Sequence, residues 1–122
     1  MKYEINGKEI DSPKLPKELK KKWVDALRSG LFTQGNGRLE NADGSLCCLG
    51  VICKVAHPKI GSLRKFTTIY TEKGSLEKKL RNIPSILKGD ENDNALVEKL
   101  VDFNDTKGKS FRQIADWIDR NL

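Results

Sequence analysis

The segment Leu46-Cys47-Cys48-Leu49-Gly50-Val51-Ile52-Cys53-Lys54-Val55-Ala56 carries one charge, and its apolar side chains fall on every face of a helix. Such a helix has to be enclosed on all sides, so the remaining elements must be built around it. Ser45 is the predicted N-cap, and Pro58 sets the end, because the residue before a proline avoids helical geometry. Gly50 costs the helix about 1 kcal/mol relative to alanine, which predicts close approach of another backbone at that position. Three cysteines in one short helix cannot supply a disulfide framework, and their spacing lacks the paired C-x₂₋₄-C pattern of a tetrahedral zinc site. Buried, reduced thiols are predicted, with no metal and no cofactor.

Around this centre the chain divides into recognisable pieces. Tyr3 to Ile10 alternates about Asn6-Gly7, the signature of a tight hairpin. Lys17 to Ser29 places Leu19, Trp23, Ala26 and Leu27 at helical spacing before Gly30, a natural C-terminal residue. Leu31 to Gln34 and Arg38 to Glu40, flanking Gly35-Asn36-Gly37, with the second turn Asn41-Ala42-Asp43-Gly44, suggest a short hairpin or an irregular loop. Phe66 to Thr71 has strand-like content, and Ser75 to Arg81 resembles a short capped helix. Ala95 to Phe103 is helical, Asn104 to Lys109 a turn, and Ser110 the N-cap of a last helix striped by Phe111, Ile114, Ala115, Ile118 and Leu122, with Trp117 beside the stripe. The expected fold is α+β and helix-dominated, one compact domain over residues 1–122, with an N-terminal hairpin and a short central β element around the buried Cys-containing helix.

The 122 residues carry a net charge of +6, which favours an anionic partner. The charge is regional: residues 31–89 hold ten basic against four acidic residues, whereas residues 90–122 hold five against eight. No apolar run approaches the ~18 residues of a membrane span, and no secretory signal follows Met1, so a cytoplasmic protein is expected. No helix pair ends in a strongly cationic recognition helix, which argues against sequence-specific DNA binding.

The strongest ligand candidate is the loop Gln34-Gly35-Asn36-Gly37-Arg38. Its glycines would let backbone N–H groups approach an anion, Gln34 and Asn36 would read polar edges, and Arg38 would clasp a phosphate, with Lys54, Arg64 and Lys65 as further cations if the fold brings them near. Alternatively, the glycines only serve a turn. Phe32, Phe66 and Tyr70 could stack a base or belong to the core. A catalytic set is not evident: Cys53 with His57 is broken by Pro58, and Asp102 and Asp105 have the pattern of capping and turn residues.

The strings Trp23-Val24-Asp25-Ala26-Leu27-Arg28-Ser29-Gly30, Gln34-Gly35-Asn36-Gly37-Arg38-Leu39, Cys47-Cys48-Leu49-Gly50-Val51, Phe103-Asn104-Asp105 and Ser110-Phe111-Arg112-Gln113-Ile114-Ala115-Asp116-Trp117-Ile118 together resemble a poorly characterised family of small phage and prophage proteins. The resemblance implies an infected bacterial cell as the setting and no particular reaction. Small phage proteins often antagonise bacterial immunity, so two expectations follow. One is a noncatalytic anti-defence protein that sequesters a phosphate-bearing nucleotide signal. The other is an interaction module that docks a host protein through the basic face of Lys20, Lys21 and Arg28. A nucleotide hydrolase or lyase using Asp105 or His57 is the third reading. A homo-oligomer stays open, with Trp117 and the hairpin edge as places for a second copy.

Overall fold

A computed structural model describes residues 2–5, 8–11, 17–56, 58–59, 61–63 and 91–122, with the backbone path alone for the two strands and residues 91–95. Strands β1 (Lys2–Ile5) and β2 (Lys8–Asp11) pair antiparallel, Ile5 opposite Lys8. Helix α1 (Lys17–Ser29) buries Trp23, Val24 and Leu27 and ends where Gly30 takes φ +77°. There Ser29 Oγ donates to the Ala26 carbonyl at 2.7 Å and accepts the Leu31 N–H at 3.1 Å, so the side chain serves backbone groups that the helix no longer pairs. Helix α2 (Cys48–Ala56) follows, then α3 (Glu91–Val101), which widens into a π-helical turn at Asp102–Thr106, then α4 (Phe111–Asn121).

Helix α2 occupies the centre, as an all-round apolar helix must. Residues 48–53 are all buried, and side chains from all four helices join them in one cluster that includes Trp23, Leu49, Ile52, Leu100 and Ile114. Two polar side chains inside the cluster have backbone partners. Trp23 Nε1 donates to the Cys48 carbonyl at 2.9 Å, and Cys48 Sγ lies 3.7 Å from the Leu100 carbonyl oxygen. Gly50 shows why the sequence accepts its cost: the Leu39 carbonyl oxygen occupies the space where a Cβ would stand. On the outer side, α1 and α4 are joined by Arg28 to Asp116 (2.7 Å) and by Lys20 Nζ to the Asp119 carbonyl (3.1 Å).

Two expectations require correction. The α+β class with a central β element is not borne out: the body of the domain is helical, and residues 31–47 contribute only isolated bridges, Gln34 with Leu46 and Glu40 with Leu46. The reason is local. Gly37 and Gly44 take positive φ and turn the chain, so its backbone pairs only at scattered points, such as Gly35 with Leu46 and Asn41 with Ser45, while the side chains of Gln34, Asn41 and Asp43 bond further polar groups. Ser45 is also not the cap of α2. Its N–H and hydroxyl both go to Asp43 Oδ1 (2.9 and 2.7 Å), while the Leu46 N–H bonds the Thr33 carbonyl and its own carbonyl accepts from Gly35, so the helix starts at Cys48. The expected strand at 66–71, the helix at 75–81 and the Asn6-Gly7 turn lie outside the described residues.

Candidate functional site

The Gln34 side chain ties the 34–38 loop to the other end of the chain. Its Nε2 donates to Asn104 Oδ1 (3.0 Å) and to the Lys109 carbonyl (2.8 Å), and its Oε1 accepts the Phe111 N–H (3.0 Å). Phe111 is the first residue of α4, so Gln34 satisfies one of the amides that helix cannot pair internally. The capping box completes the job locally: Ser110 Oγ accepts from the Gln113 N–H, and Gln113 Oε1 accepts from the Ser110 N–H. Asn104, only 1% exposed, donates through Nδ2 to the Gly35 carbonyl (2.7 Å) and to Asp105 Oδ1 (2.8 Å). Those two bonds use both Nδ2 hydrogens. Asn36 is therefore satisfied by the opposite amide orientation, its nitrogen donating to the Asn104 and Gly35 carbonyls.

This clamp separates the predicted ligand residues into two groups. Gln34, Gly35 and Asn36 are occupied by the fold, and a Cβ on Gly35 would run into Ser45 and Asn41. Gly37 and Arg38 are exposed at the tip, the glycine at φ +80° with open space around it, and Arg38 has no hydrogen-bond or ionic partner among the described residues. Arg64, Lys65, Phe66, Tyr70 and His57 lie outside the described residues. Phe32 is half-buried and packs against the core. Asn104 was legible only as a turn residue, yet it stands four after Leu100 on the inward side of α3. A polar residue at an inward position signals a buried hydrogen-bond network.

A family model for a domain of unknown function matches residues 15–122. The chain belongs to the DUF8296 family. The matched span takes in the clamp and all four helices of this DUF8296 domain and leaves the β1–β2 pair outside. No curated protein and no solved structure matches the chain.

A second polar centre lies beside α2. Glu40, 8% exposed, accepts from Lys54 Nζ at 2.9 Å, from Ser62 Oγ at 3.0 Å and from the Leu63 N–H at 3.3 Å, while Lys54 also donates to the Gly61 carbonyl. Burial pushes the Glu40 carboxyl up, but the bonds from Lys54, Leu63 and Ser62 outweigh it and hold the group below its ordinary value of 4.5. A carboxylate whose folded pKa is depressed stabilises the fold above its unfolded pKa, and that contribution is lost as pH falls through the folded value. Stability should thus decline on acidification below about pH 4.5. Glu40→Gln should remove part of that acid dependence and cost about 2 kcal/mol at neutral pH, as followed by urea unfolding across a pH series.

The thiols carry no nucleophile. Burial raises Cys47 to about 11 and Cys53 to about 12, and pushes Cys48 well above its ordinary range. All three cysteines are free and buried. An aromatic disulfide reagent should therefore label none of them rapidly in the native protein and all three on unfolding in guanidinium. Fast native labelling would show that one of the thiols is accessible.

A hollow of about 330 Å³ lies beside α1 and is lined by Lys17, Lys20, Lys21 and Arg28 together with Val24, Asp25 and Asp119. Lys20 and Arg28 are already engaged with α4. Lys17 and Lys21 are exposed and have no ionic partner among the described residues.

Proposed function

We propose that this domain is a noncatalytic binder of a phosphate-bearing nucleotide, serving a phage by sequestering a nucleotide signal of bacterial immunity. The observation that carries this reading is the Gly37–Arg38 tip. Its base is fixed by the clamp, its guanidinium is exposed and uncommitted, and the glycine leaves the backbone open to approach. A guanidinium binds phosphate oxygens through two parallel hydrogen bonds, and a tip positioned in advance loses less freedom on binding. The net charge of +6 adds long-range attraction for an anion. The groups at hand supply charge and backbone donors rather than an activated nucleophile, since the thiols stay protonated. The phage setting rests on the resemblance of the sequence strings.

Isothermal calorimetry against cyclic and linear nucleotides tests the reading. The expected result is a saturable heat with one member of the panel and recovery of that ligand intact after heat denaturation. Uniformly silent titrations overturn the reading, and recovered products would replace it with a hydrolase or lyase.

The hollow on α1 favours a second reading, in which a host protein presents an acidic surface to Lys17, Lys20 and Lys21. Lys17→Glu with Lys21→Glu is the informative variant, because Arg28 holds α1 to α4 and its reversal would disturb the fold. Under this reading the double reversal abolishes capture of a stoichiometric partner from infected cells. Under the nucleotide reading it leaves the calorimetric affinity in place.

A further inference from the structure

We propose that the nucleotide stacks its base on Trp117 and sets its phosphate against Lys99 and Lys109, an assignment that rests on the nucleotide reading above and locates its aromatic and cationic contacts. Phe103, at the start of the π-helical turn, meets the Trp117 ring edge-on, with centroids 5.3 Å apart and planes at 71°. The ammonium groups of Lys99 and Lys109 lie 5.2 and 5.4 Å from the centroid of that same Phe103 ring. Two like charges are thus gathered at one aromatic group, and neither has a carboxylate partner among the described residues. A ring face attracts each cation but leaves its charge unneutralised, whereas a phosphate within reach of both would neutralise them together.

Trp117 supplies the flat surface. It is half-buried at the margin of the core, while the other tryptophan of the chain, Trp23, is wholly enclosed and bonded to the Cys48 carbonyl. An indole that is only partly enclosed and stands beside lysines is the combination with which proteins hold bases through stacking and phosphates through charge. The cluster is also held in advance of any ligand. The Lys109 N–H donates to the Phe103 carbonyl at 2.9 Å, and the Lys109 carbonyl accepts from Gln34. The clamp that fixes the base of the Arg38 loop therefore fixes Lys109 as well, so one network organises both sets of cations. The competing explanation is that the lysine stems merely cover the Phe103 ring.

The test is a titration of the full chain with adenosine triphosphate and with a cyclic dinucleotide, followed in parallel by tryptophan fluorescence and calorimetry. Saturable quenching is expected for the wild type and should vanish in Trp117→Phe, which retains Trp23 as an internal control. Lys99→Gln with Lys109→Gln should weaken binding by about tenfold or more at an unchanged melting temperature. Pyrophosphate should compete, and adenosine at the same concentration should not. Binding heat that persists undiminished in both variants overturns the assignment and leaves the nucleotide reading standing. Silence in calorimetry for every nucleotide overturns both. A pyrophosphate that fails to compete overturns the lysine–phosphate contact.

Discussion

Gln34→Ala is expected to lower the unfolding free energy by about 3 kcal/mol, because it strands three partners at once: the Phe111 N–H, the Lys109 carbonyl and Asn104 Oδ1. A buried polar group left without a partner costs more than its hydrogen bond was worth, since water cannot readily replace the lost atom. With a total stability of roughly 5–15 kcal/mol for a domain of this kind, the loss should lower Tm by about 10 °C. Gln34→Glu is the sharper variant. It preserves the shape and can still accept from Phe111, but it removes both donated bonds and sets a carboxylate against two oxygens, so it too should destabilise strongly. Thermal unfolding by circular dichroism gives the answer. A Gln34→Ala protein as stable as wild type would mean that the clamp contributes little to holding α4 in place.

The second large effect is expected at Gly50. In an ordinary helix, glycine to alanine stabilises by about 1 kcal/mol. Here the added methyl would meet the Leu39 carbonyl oxygen, with the Leu46 Cδ2 atom 3.2 Å away. Backbone on one side and a buried leucine on the other leave nowhere for the methyl to go, so α2 must move away from residues 39–46 and the core around Leu49 and Ile52 must repack. A loss of about 3 kcal/mol is expected, the reverse in sign of the propensity rule. Gly37→Ala provides the comparison: nothing lies near its Cβ position, and only the strain of φ +80° opposes the substitution, worth about 1 kcal/mol. If Gly50→Ala proved neutral in urea unfolding, the 39–46 segment would have to be far more yielding than its contacts imply.

The parts of this fold visible in the sequence are those governed by short-range rules. The boundaries of α1 follow from the spacing of Trp23 and Leu27 and from Gly30, and the start of α4 from Ser110. The enclosure of α2 follows from its having no polar face, and Gly50 announces a close backbone contact. What escaped the sequence depends on partners seventy residues away. Whether Gln34 faces a ligand or the chain itself is decided by Asn104, Lys109 and Phe111, and nothing local to the 34–38 loop encodes their proximity. The same holds for residues 31–47, where the glycine turns allowed a short hairpin as well as an irregular loop. Polar groups there found side-chain partners at Asp43 and Asn104, and the backbone paired only at isolated points instead of in a sheet. The π-helical turn escaped for a related reason: Lys107 N–H reaches the Asp102 carbonyl across a wider loop of helix, a pairing that no propensity favours.

The functional account holds that the carboxamides of the loop serve the fold while Arg38 serves the ligand. Nucleotide affinity measured by calorimetry in Arg38→Ala and in Gln34→Ala, the latter at a temperature where it is fully folded, tests that division directly. Arg38→Ala is expected to lose about tenfold or more in affinity with its stability intact, and folded Gln34→Ala to lose less, because it loosens the base of the tip and Lys109 but removes no ligand contact. Affinity lost in folded Gln34→Ala and kept in Arg38→Ala would contradict the account.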